Sequence, residues 1–318
     1  MRVGHNPARF VEKVAQPAEV TVAVVNCIPF VSGYYEQSLE VLKTCIMTLN
    51  KSTPELHDLI VFDNHSCREV RQYLQRAYED GLIQYLVLSD TNIGKIGAWN
   101  FMFGAAQGRY VAFADGDIAF RPGWLTESLE LFKTFPNVGM VTARPLRTPM
   151  EYSTATLDWA KQQPSGVYEE GHFLDWETFW DHAQSIGMDE GQARAYYAAS
   201  VDFRLVYRGK MAFIGAAHFQ FMARREVLQK IIPLPSNQPM RGERALDIAI
   251  NDMGLLRLMP DRPLVWHMGN VLSGSTYVEY STRNNRKFLQ WLLWLPIIRQ
   301  PLLWLNNRIF RLYFSNVK

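Results

Sequence analysis

Apolar runs alternate with amphipathic stretches over residues 20–143, and this alternation constrains the fold more than any other feature of the chain. Val20–Cys27 is a continuous run rich in β-branched residues, which is typical of a parallel strand buried on both faces. Glu36–Leu49 then carries apolar residues at helical spacing. The same alternation predicts further strands at 58–63, 83–88, 110–114 and 138–143, and further helices that begin near Cys67, Asn92 and Pro122. We therefore expect an α/β fold built on one doubly wound, mostly parallel sheet.

Two carboxylates, Asp115 and Asp117, follow the predicted strand Tyr110–Ala114. Open α/β sheets bind their ligands outside the carboxyl ends of the strands. Acids at that position suit Mg²⁺ or Mn²⁺, which proteins often bind through one or two carboxylates together with substrate phosphates. An Asp-Gly-Asp sequence alone is more often a turn with solvated acids. Here the preceding strand and the Asn/Gly-rich segment that leads into it favour a metal site.

Asp63 stands at the end of the second predicted strand. A carboxylate at a strand end can accept hydrogen bonds from a nucleobase or a ribose. The alternative is that Asp63 and Ser66 only cap the helix that begins near Cys67. We interpret Ser66 as the cap and Asp63 as the ligand. Neither a P-loop motif nor Gly-x-Gly-x-x-Gly follows the first strand, which argues against a P-loop ATPase and a dinucleotide oxidoreductase.

Several motifs occur in an order that points to a known family. They are the first strand, Asp63-Asn64-x-Ser66, Asn92-x-Gly94 with Asn100 and Gly108, Asp115-Gly-Asp117, and segments at 212–228, 241–254 and 263–270. In this order and spacing the chain resembles family 2 glycosyltransferases of the GT-A fold. The resemblance implies a nucleotide-diphosphate sugar as donor, with the choice among UDP, GDP and dTDP left open.

The resemblance also implies roles for individual residues. Asp117, together with Asp115, would bind Mn²⁺ or Mg²⁺, and His267 would add a metal or diphosphate contact. Lys95 would lie near the diphosphate. Further contacts with the nucleotide sugar would come from Asn26, Asp63, Asn92, Gly94, Asn100 and Asp115.

Glu243 and Asp247 are the candidates for the general base that the resemblance implies. Family members usually carry an adjacent Glu-Asp pair, whereas Arg244 follows Glu243 here. The two acids are four residues apart and share one helix face, so either could face the cleft. We favour Asp247. Such a base contributes roughly 10²- to 10⁴-fold to the rate, and one base opposite the leaving group implies in-line displacement with inversion.

Residues 144–212 mix aromatic and acidic side chains, with short helices predicted near 175–186 and 189–199. In the family such a block borders the acceptor cleft, although packing of an added helical subdomain explains most of these aromatics better. His218 and Gln220 alternate on a predicted strand, Phe213–Met222. We interpret both as facing a saccharide or lipid-linked acceptor, with a core histidine as the alternative for His218.

The segment 283–318 holds seven Lys and Arg, three Trp and no Asp or Glu. It is too interrupted to span a bilayer. Helices that lie on an anionic membrane would fit this composition, and so would helices that pack on the catalytic domain or on a second subunit of a homodimer. The basic residues alternate with Leu, Ile and Trp instead of forming a polar stripe, which argues against nucleic-acid binding.

With 318 residues and 48% hydrophobic composition, the chain can bury a substantial core. We predict a tail at 1–18, a catalytic domain at 19–282 with a nucleotide-binding half (20–145) and an acceptor-binding half (146–282), and the segment 283–318. Three cysteines without Cys-x-x-Cys spacing fit reduced thiols. Residues 1–18 lack the apolar stretch of a signal peptide. We expect a cytoplasmic protein, attached to the inner face of the plasma membrane if 283–318 binds lipid.

Together these features predict a metal-dependent, inverting glycosyltransferase of surface polysaccharide or glycolipid synthesis. A sugar nucleotidyltransferase would carry a Gly-rich loop with Arg or Lys directly after the first strand, and Asn26–Gly33 lacks one. An inactive, membrane-associated scaffold of the same fold is the other alternative. Retention of Asp115, Asp117 and His267, with an acid at 243 or 247, argues against it.

Overall fold

The computed structural model describes residues 5–164, 166–236, 242–272 and Arg308. The strands are β1 (Val20–Asn26), β2 (His57–Asn64), β3 (Tyr85–Ser89), β4 (Tyr110–Asp115), β5 (Ile118–Phe120), β6 (Val138–Val141), β7 (Val167–Gly171), β8 (Asp202–Tyr207), β9 (Lys210–Ile214), β10 (Gln220–Arg224), β11 (Leu256–Met259) and β12 (Val265–His267). The helices are α1 (Ser38–Ser52), α2 (Arg68–Glu79), α3 (Gly94–Ala105), α4 (Trp124–Thr134), α5 (Thr154–Gln162), α6 (Trp176–Ser185), α7 (Glu190–Ala199), α8 (Arg225–Ile231) and α9 (Arg244–Asp252).

Within the described residues, ten strands form one sheet in the order β3-β2-β1-β4-β10-β6-β11-β9-β8-β7. The first four of these strands are parallel, in agreement with the mostly parallel sheet predicted for residues 20–143. Beyond β4 the sheet is mixed, because β10 runs antiparallel to both β4 and β6. Strands β7, β8 and β9 extend it as antiparallel neighbours. A separate antiparallel pair, β5 and β12, lies beyond the end of β4.

Both faces of the central strands are covered by helices. On β4, Ala112 and Ala114 belong to the apolar cluster that includes side chains of α1, α2 and α4. Val111 and Phe113 belong to the opposite cluster, with side chains of α3, α8 and α9. Trp99 of α3 is fully buried there, with its ring centroid 5.1 Å from that of Phe113. The uninterrupted apolar runs of the sequence therefore follow from burial on two sides.

The predicted helices near 175–186 and 189–199 are confirmed as α6 and α7. The single strand predicted at Phe213–Met222 is wrong, because β9 ends at Ile214 and β10 begins at Gln220. The residues between them form a loop. Gly215, with φ +133°, opens this loop, and a Cβ there would collide with the side chain of Thr148. Strands β7 and β8, and helix α5, were not predicted from the sequence.

The chain ends contribute little to the described fold. Residues 5–17 are exposed wherever burial is described, in keeping with a tail that lies on the surface. The tail joins the sheet where the amide of Ala18 donates to Asp58. The predicted segment 283–318 lies outside the described residues except for Arg308. Within the described part of the chain, no helix is long and apolar enough to cross a bilayer.

Gly108 sits where the turn before β4 passes directly beside the start of β1. A Cβ at this position would lie 2.6 Å from the backbone nitrogen of Thr21 and 2.9 Å from the carbonyl oxygen of Glu19. The amide of Gly108 donates to the hydroxyl of Thr21 at 2.9 Å. Only glycine therefore allows this approach of the two strands.

We expect Gly108→Ala to lower the free energy of unfolding by about 1–3 kcal/mol, because a backbone collision forces the strands apart. Gly104→Ala is the matched control, since a Cβ there meets only Ile232 at 3.8 Å. The control should be neutral or slightly stabilising, because alanine favours a helix more than glycine does. Urea unfolding of both variants measures the difference. Equal stability of the two would show that the strands separate at no cost.

Candidate active site

Three residues predicted to bind the nucleotide sugar lie in one row at the carboxyl ends of β1, β2 and β4. Asn26 pairs in register with Asp63, and Val25 pairs with Asp115. Since these strands are parallel and adjacent, their ends meet at one edge of the sheet. This is the edge where an open α/β sheet binds its ligands.

Asp63 is fully buried at this edge and already has protein partners. One carboxylate oxygen accepts from the Asn26 amide at 2.8 Å, and the other accepts from the backbone of Ser66 and from Nε of Arg71, both at 3.2 Å. Because the carboxylate is completely buried among these donors, the ligand role of Asp63 stays a prediction. Arg71 was not predicted, because its contact with Asp63 depends on how α2 packs.

Ser66 does not cap α2, contrary to the sequence interpretation. The N-cap residue is Cys67, which makes no side-chain capping bond. The hydroxyl of Ser66 instead accepts from the backbone of Ile28 and from the amide of Asn26, both at 2.9 Å. It therefore ties the loop after β1 to the end of β2.

Asn92 and Gly94 shape the turn into α3. The side-chain oxygen of Asn92 accepts from the Asn64 amide at 2.9 Å and from the backbone of Gly94 at 2.8 Å. Gly94 has φ +74°, a conformation that favours glycine. Asn100 points elsewhere: its amide exchanges two hydrogen bonds with the backbone of Leu234. These bonds hold the loop after α8 in place. They give no support to the predicted contact of Asn100 with the nucleotide sugar.

Lys95 pairs with Asp115 instead of standing free for a diphosphate. Its ammonium lies 2.6 Å from a carboxylate oxygen of Asp115 and also lies over the rings of Trp99 and Phe113. Burial raises the pKa of Asp115, and the neighbouring charge of Asp117 raises it further, while Lys95 opposes both effects. A second cation near the two acids would relieve their mutual repulsion.

Asp117 and His267, the two residues predicted to share a metal, lie close together in the structure. The pairing of β5 with β12 sets His267 opposite Ile118. Nε2 of His267 lies 3.3 Å from Oδ2 of Asp117, and the amide of Met268 donates to the Asp117 carbonyl at 2.8 Å. The other carboxylate oxygen of Asp117 is buried and has no hydrogen-bond partner among the described residues.

This pair fits a divalent cation that takes its remaining ligands from a diphosphate and water. No group of three or more His, Cys, Asp or Glu side chains within the described ranges could hold a metal by itself. Mg²⁺ in particular is usually bound through one or two carboxylates plus substrate phosphates. The buried Asp117 oxygen without a partner supplies a free ligand atom.

The loop after β1 lies close to Asp117. Burial, and then the charge of Asp117, raise the pKa of the Tyr34 hydroxyl. The backbone carbonyl of Tyr34 accepts from the Asn270 amide at 2.7 Å, which joins this loop to the segment after β12. Tyr34 was missed because neither its spacing nor its neighbours mark it in the sequence.

Asp247 is almost fully buried in α9 and forms an ion pair with Arg257 of β11, which is also buried. Arg257 donates in addition to the carbonyls of Tyr152 and Ala216. The second carboxylate oxygen of Asp247 lies 3.5 Å from Nδ1 of His218. Glu243 stands just before α9 and is partly exposed, so the structure leaves the choice between the two acids to experiment.

His218 and Gln220 do not share one strand. His218 lies in the loop between β9 and β10 and is 41% exposed, so an acceptor could reach it. Gln220 begins β10, is fully buried and accepts from the backbone of Ala143 at 2.8 Å. Because Gln220 is fully buried, the structure gives no support to the acceptor role predicted for it.

The loop between β9 and β10 contacts both acidic parts of the site, the end of β4 and Asp247. The carbonyl of Phe219 accepts from the amide of Asp115 at 2.8 Å. The Phe219 ring lies against the rings of His182 and His267, with centroids 5.1 and 5.7 Å away. Burial lowers the pKa of His182 to about 3, so this imidazole is neutral. The loop therefore places the Asp117–His267 pair and the His218–Asp247 pair around one turn of chain.

Family assignment follows from the sequence profile of "Glycosyl transferase family 2", which matches residues 30–191, slightly more than half of the chain. The chain belongs to glycosyl transferase family 2. Together with the sheet described above, this membership confirms the predicted family, enzyme class and GT-A type of α/β fold. No curated protein sequence matches the chain at a significant level.

Solved structures with a similar fold share little sequence with this chain. S. aureus TarS 1-349 has 10% identity and a TM-score of 0.47 over 78% of this chain. Its complex with UDP-GlcNAc has 11% identity and a TM-score of 0.48 over 78%. The mannosyltransferase PcManGT from Pyrobaculum calidifontis, in complex with GDP-Man and Mn²⁺, has 17% identity and a TM-score of 0.43 over 80%. The chain spans 59%, 57% and 59% of these three chains, respectively.

We expect Arg257→Met to lower the free energy of unfolding by about 3–5 kcal/mol, because it leaves the buried carboxylate of Asp247 without its cation. Adding Asp247→Leu to that variant should recover part of the loss, since no buried charge then remains. Urea unfolding of the single and double variants measures both steps. A single variant as stable as the wild-type protein would show that Asp247 is not held as a buried anion.

Proposed function

We propose that this protein is a metal-dependent, inverting glycosyltransferase that moves a sugar from a nucleotide diphosphate to an acceptor hydroxyl. The observation that carries the proposal is the loop between β9 and β10. Through Phe219 it contacts the acidic end of β4 and His267, and through His218 it contacts Asp247. A metal site for the leaving diphosphate and a base for the acceptor are the two parts that the reaction requires.

Asp117 and His267 would hold the cation, Mn²⁺ or Mg²⁺. When bound, such a cation supplies Lewis-acid stabilisation of the charge on a departing diphosphate. Lys95 contributes a positive charge beside Asp115 at the same edge. The ends of β1 and β2, with Asn26 and Asp63, offer the nearest polar groups for the nucleoside, and the base of the donor stays open among uracil, guanine and thymine.

Asp247 would accept the proton of the acceptor hydroxyl. Arg257 fixes one of its oxygens, and the other oxygen faces the partly exposed His218. His218 would thus contact the acceptor and orient the carboxylate. A single base that works opposite the leaving group gives inversion at the anomeric carbon. Glu243, one helical turn earlier, is the alternative base.

The acceptor is proposed to be a saccharide or a lipid-linked saccharide of surface polysaccharide or glycolipid synthesis. Aromatic side chains gather on α6 and α7, where the rings of Trp176 and Trp180 stack at 5.8 Å. Flat aromatic faces of this kind suit sugar rings. Peripheral binding to an anionic membrane at the cytoplasmic side, through segment 283–318, remains part of this proposal.

We expect Asp117→Ala to abolish Mn²⁺-dependent binding and hydrolysis of nucleotide sugars, because it removes the carboxylate that would contact the ion. The control is Asp261→Ala, which removes an exposed acid from the turn before β12. A screen of UDP-, GDP- and dTDP-sugars, with Mn²⁺ and with excess chelator, measures the effect and identifies the donor. Full activity of Asp117→Ala, or of the wild-type protein in chelator, would contradict the metal site.

We expect Asp247→Asn to lower turnover by at least about 10²-fold with little change in donor affinity, since it removes proton abstraction and not donor binding. Glu243→Gln is the matched comparison. Steady-state kinetics, with a melting temperature for each variant, separates catalysis from loss of fold. If Glu243→Gln alone gives the loss of turnover, the two roles must be exchanged.

A further inference from the structure

Ser185, the last residue of α6, lies between two histidines. Its hydroxyl donates to the carbonyl oxygen of His182 at 2.7 Å. The same oxygen lies 3.1 Å from Nδ1 of His267. A serine hydroxyl has only one proton to donate, and a carbonyl can only accept. The oxygen of Ser185 must therefore be the acceptor toward His267, which makes Nδ1 of His267 the protonated nitrogen.

This assignment determines what the other nitrogen can do. In a neutral imidazole with a proton on Nδ1, Nε2 carries a lone pair. Nε2 of His267 faces Oδ2 of Asp117 at 3.3 Å, and that oxygen is also an acceptor. Two acceptors that face each other gain nothing from direct contact. They become favourable when both bind one cation.

Backbone packing also keeps Ser185 close to His267. Gly269, with φ +67°, follows closely after His267, and a Cβ there would lie 2.9 Å from the carbonyl oxygen of Ser185. The end of α6 and the end of β12 are therefore in direct contact. The ring of His182 stacks on Phe219 and fixes the other side of the same helical turn.

We propose that Ser185 is a positioning residue, which fixes His267 in the Nδ1–H tautomer and aims its Nε2 at the cation shared with Asp117. This inference rests on the metal site of the proposed function. It adds that α6, a helix of the block at 144–212, orients one of the residues that would hold the metal. Removal of a group that hydrogen-bonds to a metal ligand typically changes metal affinity by about 10- to 100-fold.

The first test reads the tautomer without metal or turnover. Heteronuclear NMR of the imidazole nitrogens, at about pH 8 where histidine is ordinarily neutral, should show His267 protonated at Nδ1 in the full-length protein. His267→Gln assigns the signals. Ser185→Ala should give a mixture of tautomers, and Ser185→Thr, which keeps the hydroxyl, should restore the wild-type pattern.

The second test measures the cation. Titration with Mn²⁺ in the presence of UDP, GDP or dTDP, each tested separately by electron paramagnetic resonance, should show binding weakened by about 10- to 100-fold in Ser185→Ala. Ser185→Thr should bind as the wild-type protein does. Gln184→Ala is the control, because Gln184 is exposed on the same turn of α6.

Two results would overturn the inference. One is a wild-type His267 that carries its proton on Nε2. The other is a Ser185→Ala variant with unchanged tautomer and unchanged Mn²⁺ binding. If the tautomer depends on Ser185 but the wild-type protein binds no Mn²⁺ with any of the three nucleotides, the positioning of His267 is supported and the metal dependence in the proposed function fails instead.

Discussion

The burial of β4 on all sides is the constraint on which the rest of the molecule depends. Helices cover both faces of this strand, while β1 and β10 occupy its two edges. A strand so enclosed can carry acids only where it leaves the sheet, because an unpaired buried carboxylate is very costly. Asp115 and Asp117 stand at that exit. The position of the candidate site is thus a consequence of where the apolar run ends.

Charge at the site divides into two kinds. Three acids are held by cations of the protein itself: Asp63 by Arg71, Asp115 by Lys95 and Asp247 by Arg257. These ion pairs neutralise the three carboxylates without any ligand. Asp117 differs, because it faces a histidine and one of its oxygens has no partner among the described residues. A bound cation would supply the contact that Asp117 lacks.

Features set by local sequence could be predicted, and features set by long-range packing could not. The parallel strands, their acidic ends and the helices α6 and α7 follow from apolar spacing and capping residues. The contacts of Arg71 and Arg257 depend on how distant elements pack, so no local pattern reveals them. Asn100 and Gln220 had the residue types of ligands, yet the side chain of Asn100 hydrogen-bonds to the backbone of Leu234, and the side-chain oxygen of Gln220 accepts from the backbone of Ala143. Residue type alone does not distinguish an amide that serves a ligand from one that serves a loop.

The position of β10 has a consequence for how the protein is made. Ala114 of β4 pairs with Gln220 of β10, and β10 separates β4 from β6, the strand that follows the β4–β5 region in the chain. During synthesis, residues 20–145 therefore leave the ribosome with one edge of their central strand, β4, open. That edge stays available for wrong pairing until residues 220–224 arrive. Such long-range closure slows folding and exposes intermediates to aggregation, so a fragment that ends near residue 145 would be a poor unit for expression.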